Sequence, residues 1–479
     1  MPQPVYLTQD IRRIEQVAGA VSPPLMERAS AAAAALAASL LPDTGKDVLV
    51  LAGPGNNGGD AKIVARILQE KFLRVSVATK AETIPKNIRW NLVVDGLFGI
   101  GLSRPIEGDY ATLVEYVNAQ SCPVLSLDIP SGLNSDTGQV LGRAVRATHT
   151  ITFIGLKPGL LTLDGPDHCG QVTVADLSLK DLQAKTGNGW IAGPALFPNI
   201  LKPRARNFHK GMAGSLAVVG GAAGMAGAAL LAARAALKLG AGRVYAALLE
   251  ELSFDPGAPE LMLRHPDDAL GLDLDAIVIG PGLGQGERAE TLLGAVLASD
   301  IPCVLDADAL NLIAGNEDLR KACARRTADT LLTPHPAEAA RLLAQKTSDV
   351  QADRLSAARN LSNNLNAHVV LKGNGSIIVA RDGHWFINTS GNPGMASAGM
   401  GDVLAGFLGA LLAQKYSGET ALVLGTHLHG CAADECVRAG AGPIGLTAGE
   451  LIDPARSLWN AWLRPLAPAP WAPGRDRAC

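Results

Sequence analysis

The first third of the chain alternates short apolar runs with longer segments in which apolar residues recur at helical spacing. The apolar runs have the length and composition of buried strands, and the segments between them read as helices. Such alternation predicts a mostly parallel sheet covered by helices on both faces. The predicted strands are residues 48–52, 74–79, 92–98, 124–129 and 148–154, and residues 1–40 are predicted to be helical.

Between residues 185 and 206 this pattern lapses, because glycine and proline punctuate a stretch without periodicity. We therefore predict a domain boundary near residue 187. Strand and helix alternate again beyond it, which predicts a second α/β domain. Residues 466–479 are rich in proline and alanine and are predicted to be a disordered tail. The predicted strands of the second domain are residues 216–219, 244–248, 276–279, 303–306, 330–333 and 369–371, with a hairpin formed by 377–380 and 384–388.

Length and composition restrict the classes of function. A chain of 479 residues is too long for one ordinary core, so two domains are expected. The formal net charge of −3 offers no basic surface for nucleic acid or for an acidic membrane. The seven cysteines are scattered and odd in number, which argues against a disulfide framework and favours the cytoplasm. The uncharged segment 212–233 is rich in glycine and is predicted to be strand, loop and helix, not a membrane span.

The stretch 391–406 places a glycine-rich turn directly before an amphipathic helix. Gly399 and Gly401 lead to Asp402, after which apolar residues recur at helical spacing. The start of a helix presents free backbone N–H groups and the positive end of the helix dipole, so it attracts phosphate. A carboxylate there can accept a hydroxyl proton while the N–H groups stabilise charge on phosphorus. The alternative is an ordinary capped helix, since aspartate is common near helix starts.

Three polar or glycine-rich loops follow predicted strands of the first domain, at residues 56–60, 95–105 and 128–134. Loops at the carboxyl ends of parallel strands open at one edge of the sheet, where α/β proteins bind ligands. Their glycines allow a phosphate to approach the backbone, and their amide and carboxylate side chains can bind sugar hydroxyls or a cation. We therefore predict one ligand site at this edge.

Loops of the second domain also lie at predicted strand ends, so they should surround the turn that contains Asp402. This arrangement predicts a second ligand site, formed by different motifs from the first. The loops are residues 209–211, 220–229, 280–284, 305–311, 333–338 and 371–376.

The string N-P-G-M-A-S-A-G-M-G-D-V-L-A-G at residues 392–406 resembles the anion-hole motif of ribokinase-like phosphotransferases. It is closer still to the dehydratases that repair hydrated NADH and NADPH, called NADHX and NADPHX, and this resemblance covers nearly all of residues 188–465. The three loops of the first domain resemble the NAD(P)HX epimerase domain over about residues 8–180. Together they imply an α/β fold, with an N-terminal Rossmann-like three-layer domain at 1–187 and a C-terminal ribokinase-like α/β domain at 188–465.

The epimerase resemblance implies that Asp128 contacts the substrate and performs acid/base chemistry at C6 of the nicotinamide ring. It also implies a potassium ion near Asn57, Asp95 and Ser131, whose oxygen atoms suit a hard cation. Turn capping is the alternative role for both aspartates, and the route of epimerisation, by ring opening or by loss and return of water, stays open. The implied substrate contacts are Asn56, Asn57, Gly58, Gly59, Asp60, Gly99, Ile100, Gly101, Leu102, Ser103, Arg104, Pro105 and Asp128.

The dehydratase resemblance makes Asp402 the base that accepts the substrate hydroxyl proton, with ADP as co-substrate and Mg²⁺ as cofactor. Asp306 and Asp308 are secondary candidates that would act through water or magnesium. The sequence departs from the family pattern at Met212, where an acidic residue is usual, and at 397–399, where threonine and glycine are commoner. The implied substrate contacts are Ala228, Gly284, His335 and Asp402. The implied nucleotide contacts are Lys372, Gly373, Asn374, Gly375, Ser376 and Gly401.

Four potential metal ligands lie in one apolar helical segment: His427, His429, Cys431 and Cys436. His427 and Cys431 are four residues apart and should share a helix face. Because cysteine is a usual core residue, we interpret the group as structural and predict no zinc site.

The sequence therefore predicts a cytoplasmic bifunctional repair enzyme. The first domain would epimerise R- and S-NAD(P)HX, and the second would use ADP to dehydrate the S form to NAD(P)H, releasing AMP and phosphate. The expected partners are these small molecules, and the expected assembly is a homo-oligomer. The main alternative is a ribokinase-like small-alcohol kinase with a non-catalytic Rossmann-like binding domain. A binding scaffold, like that of mRNA-decapping enhancers, is disfavoured by Asn57, Asp60 and Asp128.

Overall fold

The computed structural model describes residues 2–19, 21–42, 44–180 and 187–463. By its internal contacts the chain divides into two compact units. Within the described residues, the first unit comprises Gln3–Ile191 with Gly373–Gly375, and the second comprises Ala192–Lys372 and residues 376–463. The predicted tail at 466–479 lies outside the described residues, so its disorder stays a prediction, as do the predicted domain limits.

The first unit is built around a parallel sheet. Its strands are β1 (Pro4–Val5), β2 (Asp47–Ala52), β3 (Arg74–Ala78), β4 (Leu92–Gly96), β5 (Val124–Leu127), β6 (His149–Phe153), β7 (Gln171–Ala175) and β8 (Gly189–Ile191). Six of them form the parallel order β3-β2-β4-β5-β6-β7, whereas β1 pairs antiparallel with β8. The five predicted strands are confirmed. The strands β1, β7 and β8 were not predicted, because they are very short or largely exposed and lack an apolar run.

Helices cover both faces of this sheet. They are α1 (Thr8–Ala18), α2 (Leu25–Ser39), α3 (Asn56–Glu70), α4 (Gly108–Asn118) and α5 (Gly165–Cys169). One apolar cluster joins α1, α2 and α3 to the sheet, with Ala33, Val64 and Val94 among its fully buried members. Successive strand residues face opposite sides, so a second cluster packs Leu113 and Val117 of α4 against the other face. The predicted three-layer α/β architecture is confirmed.

The second unit contains a larger, mostly parallel sheet. Its strands are β9 (Ser215–Gly220), β10 (Arg243–Leu248), β11 (Met262–Arg264), β12 (Ala276–Ile279), β13 (Cys303–Leu305), β14 (Thr330–Leu332), β15 (His368–Leu371), β16 (Ser376–Val379) and β17 (Trp385–Asn388). They follow the order β17-β16-β15-β14-β13-β12-β9-β10-β11. All neighbours are parallel except the antiparallel pairs that β16 forms with β15 and β17. The predicted strands and hairpin are confirmed, while the three-residue edge strand β11 was not predicted.

Helices pack on both sides of the second sheet as the alternating pattern predicts. The segment 212–233 forms β9, a loop and the first half of α6, as expected. In the described ranges, none of the helices combines the length and apolarity needed to cross a membrane. The helices are α6 (Ala226–Lys238), α7 (Pro266–Leu270), α8 (Glu287–Ala298), α9 (Asp308–Gly315), α10 (Glu317–Ala324), α11 (Pro336–Leu343), α12 (Thr347–Ala352), α13 (Arg354–Leu365), α14 (Met400–Ala413), α15 (Gly418–Arg438) and α16 (Ile452–Trp462).

Helix α14 is the central helix of the second unit, since every residue from Val403 to Ala413 is buried. It packs closely against α6 because Gly406 has no side chain. A Cβ atom at Gly406 would lie 2.1 Å from the carbonyl oxygen of Ala232 and 2.9 Å from the Cβ of Ala235. This contact fixes the position of α14, and with it the helix start that carries Asp402.

We predict that Gly406→Ala lowers the free energy of unfolding of the second unit by roughly 1–3 kcal/mol, because the added methyl group meets backbone atoms of α6. The comparison variant is Gly449→Ala, whose new methyl group meets no atom within 4 Å and should leave stability unchanged. Urea unfolding of both variants measures the difference. Equal unfolding midpoints for the two variants would show that the α6–α14 contact is not tight.

Candidate active sites

The three predicted segments of the first unit meet at one cavity of about 560 Å³, a size typical of small-molecule sites. The prediction of a loop at residues 56–60 is wrong, because α3 begins at Asn56 and these residues form its first turn. The cavity lies beside the carboxyl ends of the parallel strands, as expected from the topology. Helices α1 and α2 add Arg12, Glu15 and Met26, which the sequence did not single out. The predicted contact residues that line the cavity are Asn56, Asn57, Asp60, Gly99, Ile100, Gly101, Leu102, Ser103, Arg104 and Asp128.

The remaining predicted contacts of this site, Gly58, Gly59 and Pro105, are not among the lining residues. Gly58 has a packing reason, because a Cβ atom there would lie 1.8 Å from the carbonyl oxygen of Gly53. A Cβ atom at Gly59 would lie 3.1 Å from Cε of Met26. These two glycines therefore allow α3 to approach its neighbours, and their contact with a substrate stays a prediction.

Asp128 is held by a buried lysine. Its Oδ1 atom accepts a 2.6 Å hydrogen bond from Nζ of Lys157, and its Oδ2 atom accepts one of 3.3 Å from the backbone N–H of Ile100. The Lys157 side chain is 0% exposed and also donates to Thr152 Oγ1 and to the carbonyl oxygen of Phe153. Asp128 has a φ of 66°, a left-handed conformation that is uncommon outside glycine and turns its side chain toward the cavity loop.

Lys157 was not predicted to belong to the site, although its position in the sequence indicates it. The lysine lies three residues beyond the predicted strand 148–154, at the same sheet edge as the other loops. A charged residue after an apolar strand is a candidate for the strand-end site. Its carboxylate partner could not be read from the sequence, because Asp128 and Lys157 are 29 positions apart.

Asp60 lies in the same cavity as Asp128 but in a different electrostatic environment. Burial raises the pKa of Asp60 to about 7; the Ser30 hydroxyl, 3.2 Å away, opposes this, while Asp128 and Glu15 add to it. Burial and Asp128 also raise the pKa of Glu15. The cavity therefore combines one carboxylate paired with an ammonium and one carboxyl group that titrates near neutral pH.

The three residues predicted to bind a cation lie at the inner end of this loop cluster. Asp95 is fully buried and accepts hydrogen bonds from the hydroxyl groups of Ser126 (2.8 Å) and Ser131 (2.6 Å), and burial raises its pKa. The amide oxygen and nitrogen of Asn57 are buried and have no hydrogen-bond partner among the residues that the structure describes. A Cβ atom on Gly99 would lie 3.4 Å from the Asn57 side chain and 3.1 Å from Asp128 Oδ2, so Asn57 and Asp128 flank the same loop.

In the second unit, α14 begins directly after the left-handed Gly399 (φ 85°), and Asp402 lies in its first turn. Burial and the Asp306 carboxylate raise the pKa of Asp402 to about 6, against the lowering effect of Lys372. A Cβ atom on Gly401 would lie 3.2 Å from Lys372 Nζ and 3.6 Å from Asp306 Oδ2. An ammonium group and two carboxylates therefore gather at the start of α14, and phosphate binding there stays a prediction.

Asp306 and Asp308 follow β13 and are both engaged by protein groups. Asp306 is buried, and its Oδ1 atom accepts hydrogen bonds from Thr333 Oγ1 (2.5 Å) and Lys372 Nζ (3.2 Å). Asp308 accepts from the backbone N–H of Gly284 (2.9 Å) and from the amide of Gln285 (3.1 Å). Both carboxylates therefore have protein hydrogen-bond partners, and their action through water or magnesium stays a prediction.

His335 caps the start of α11. Its Nδ1 atom accepts from the backbone N–H groups of Ala337 (3.1 Å) and Glu338 (3.3 Å), and the Glu338 side chain accepts from the His335 backbone N–H. Burial, followed by the charges of Lys372 and Arg341, lowers the pKa of His335. Because Nδ1 accepts from backbone N–H groups, the neutral ring carries its proton on Nε2, which lies 3.4 Å from Glu338 Oε1.

The remaining predicted contacts of the second site are placed by backbone packing. A Cβ atom on Gly282 would lie 3.3 Å from the Cβ of Ala228, so the loop that contains Gly284 lies against the start of α6. Of the predicted nucleotide residues, Lys372 and Gly401 are close together. Gly373–Gly375 groups with the first unit, where Thr162 Oγ1 donates to the carbonyl oxygens of Asn374 (3.0 Å) and Gly375 (2.8 Å).

The histidine and cysteine group of α15 is arranged as helix periodicity predicts. His427 Nε2 lies 3.4 Å from Cys431 Sγ, and His427 Nδ1 lies 3.2 Å from Asn388 Oδ1. His429 is buried, and burial lowers its pKa to about 4. Cys436 is also buried. The shared face of His427 and Cys431 is confirmed, and the absence of zinc stays a prediction.

Comparisons with known proteins match the N-terminal and C-terminal parts of the chain to two different families. A family model described as "NAD(P)H-hydrate dehydratase" matches residues 216–453, and one described as "YjeF-related protein N-terminus" matches residues 22–92 and 79–159. The bifunctional NAD(P)H-hydrate repair enzyme Nnr of Coxiella burnetii is 37% identical over 95% of this chain and 99% of its own length. The enzyme of the same name from Escherichia coli is also 37% identical, over 96% of this chain and 95% of its own.

The chain belongs to the family of bifunctional NAD(P)H-hydrate repair enzymes. A solved ribokinase-like superfamily protein from Enterococcus faecalis supports the fold of the second unit, with a TM-score of 0.51 and 24% identity. The structural alignment covers 58% of this chain and 98% of the Enterococcus faecalis protein. The predicted family and fold class are confirmed, whereas the individual site residues stay predictions.

We predict that Asp128→Asn destabilises the first unit by roughly 3–5 kcal/mol at pH 7, because it leaves the fully buried Lys157 ammonium without its carboxylate. The double variant Asp128→Asn/Lys157→Met removes both charges and should recover most of the lost stability. Urea unfolding of the wild type, both single variants and the double variant completes the cycle. Additive effects of the two substitutions would mean that the pair is not coupled.

Proposed function

We propose that the first unit interconverts the R and S forms of NADHX and NADPHX at C6, and that the second unit uses ADP to dehydrate the S form to NAD(P)H. The single observation that carries the proposal is Asp402, a buried carboxylate in the first turn of α14 beside the Lys372 ammonium. The similarity to bifunctional repair enzymes over 95% of the chain supports both activities.

Dehydration begins at Asp402. The pKa of about 6 leaves its carboxylate mostly ionised at pH 7, so it can accept the proton of the C6 hydroxyl. The hydroxyl oxygen then bonds to the β-phosphorus of ADP as the bond to AMP breaks, while the N–H groups at the start of α14 stabilise the phosphoryl charge. Phosphate next leaves C6 with its bonding electron pair, and loss of a proton from C5 forms the C5–C6 double bond of NAD(P)H.

Epimerisation is assigned to Asp128 in the cavity of the first unit. The substrate is a hydroxylated ring carbon next to nitrogen. Ring opening removes the proton of the C6 hydroxyl, whereas loss of water delivers a proton to it, so inversion needs a proton-accepting and a proton-donating group beside C6. Lys157 compensates the charge of Asp128, and Asp60 lies in the same cavity with a pKa of about 7. Ring opening and loss of water both need such a pair, so the two routes stay open.

Potassium fits the residues predicted for it. Among the described residues, the buried amide oxygen of Asn57 has no hydrogen-bond partner, and Asp95 is a buried carboxyl group that accepts hydrogen bonds from Ser126 and Ser131. The oxygen atoms of these two residues and of Ser131 suit a hard cation. A bound potassium ion would supply a fixed positive charge that compensates Asp95 and orders the loops around the cavity.

Magnesium fits less well as a protein-bound ion. The carboxylates nearest the second site, Asp306 and Asp308, already accept hydrogen bonds from Lys372 and from Gly284. Mg²⁺ often reaches such sites with nucleotide phosphates and keeps several waters. We therefore propose that Mg²⁺ enters with ADP, and we assign no chemical step to it.

The remaining roles stay as the family resemblance implies. Ala228, Gly284 and His335 would contact the hydrated dinucleotide, and residues 372–376 with Gly401 would contact the adenine nucleotide. The catalytic domains would correspond to residues 1–187 and 188–465. Cytoplasmic location and a homo-oligomeric state belong to the same proposal.

We predict that each site can be inactivated alone. Asp402→Asn keeps the size of the side chain but removes the proton acceptor, so single-turnover formation of NADH from S-NADHX and ADP should fall by about 10² or more. Epimer exchange should continue in this variant, because it takes place in the other unit. The double variant Asp128→Asn/Lys157→Met should show the reverse, with exchange lost and dehydration of pure S-NADHX retained. Loss of both activities in either folded variant would refute the assignment of one reaction to each unit.

We also predict a pH dependence for dehydration. The carboxylate form of Asp402 is the active form and its pKa is raised to about 6. The rate at saturating substrate should therefore be constant above pH 7 and fall about tenfold per pH unit well below 6. Single-turnover rates between pH 5 and 8 measure this limb, and a rate that does not change across that range would exclude Asp402 as the base.

A further inference from the structure

The ammonium group of Lys372 points to the start of α14. Its Nζ atom lies 3.2 Å from the position of a Cβ atom on Gly401, so the missing side chain of this glycine leaves room for it. The Lys372 side chain is 25% exposed, and its backbone N–H donates to the carbonyl oxygen of Pro334 at 2.9 Å. Lys372 directly follows β15. Its backbone is held by the hydrogen bond to Pro334, and its ammonium group is held beside Gly401.

Three carboxyl groups face this one ammonium. Asp306 Oδ1 accepts its hydrogen bond at 3.2 Å, and the same oxygen atom also accepts one from Thr333 Oγ1. Although burial opposes the charge, Asp306, Glu338 and Asp402 raise the pKa of Lys372. The Lys372 ammonium therefore lies at the start of α14, the helix terminus at which the proposed phosphoryl transfer takes place.

We propose that Lys372 is a catalytic residue that contacts the phosphoryl group during its transfer, in addition to any contact with the rest of the nucleotide. This inference rests on the proposed ADP-dependent dehydration. Phosphoryl transfer is catalysed almost entirely by positioning and by stabilising charge on the equatorial oxygens. Lys372 carries that positive charge, and buried Asp306 is the counter-ion that positions it.

The role is electrostatic and moves no proton through the lysine. The C6 oxygen forms a bond to the β-phosphorus, the bond from that phosphorus to the AMP oxygen breaks, and AMP leaves with the bonding pair. The hydroxyl proton goes to Asp402. Lys372 and the N–H groups of α14 stabilise the charge on the phosphoryl oxygens throughout, so the lysine is unchanged at the end of the step.

The test separates catalysis from nucleotide binding. In Lys372→Met the single-turnover rate at saturating ADP should fall at least about 100-fold, as when a single donor to a developing oxyanion is removed. The Kd for ADP, measured by calorimetry, should change less than about threefold. The control is Lys415→Met, which removes a lysine ion-paired with Asp275 elsewhere in the same unit and should change neither quantity.

Two outcomes of these measurements would contradict a catalytic role for Lys372. A weaker Kd with a normal rate at saturating ADP would make Lys372 a nucleotide-binding residue only, and an unchanged rate and Kd would exclude it from the site. If Lys372→Met does not fold, Lys372→Met/Asp306→Asn removes the charge pair together and must show the same loss of rate for the proposal to stand. If the wild type and the Lys415→Met control also form no NADH, the proposed function itself is refuted, and this inference falls with it.

Discussion

The candidate sites depend on pairing a lysine with an aspartate at the carboxyl edge of a parallel sheet. Moving an ammonium out of water costs several kcal/mol unless a carboxylate and hydrogen-bond acceptors compensate it. Lys157 has three acceptors for its three protons: Asp128, Thr152 and the carbonyl oxygen of Phe153. The position of Asp128 is therefore fixed by the stability of the first unit as well as by its chemistry.

The second unit also pairs a lysine with an aspartate, but it keeps a further aspartate outside the pair. Lys372 pairs with Asp306, whereas Asp402 in the first turn of α14 forms no ion pair within the described part of the chain, and burial raises its pKa to about 6. One carboxylate thus holds the cation and the other keeps the capacity to accept a proton. The glycines supply the space for this arrangement, because a side chain at Gly401 would contact Lys372 and one at Gly406 would push α14 away from α6.

Much of the fold could be predicted from the sequence, because central parallel strands are buried on both faces and read as continuous apolar runs. The edge strands β7 and β11 and the short β1 and β8 were missed, since exposure or length removes that signal. The loops of the sites were recognisable from glycine and carboxylate residues at strand ends. Lys157 and the pairing of Lys372 with Asp306 were not, because these contacts join residues that are far apart in the sequence.

The central claim is that one chain converts both epimers of the hydrated cofactor, and one measurement tests it directly. A mixture of R- and S-NADHX is incubated with the protein and excess ADP, and NADH absorbance is followed together with AMP and phosphate. If both units act, we expect NADH equal to the sum of both epimers, with one AMP and one free phosphate for each NADH. Conversion of the S fraction alone, or accumulation of a stable phosphate ester, would contradict it.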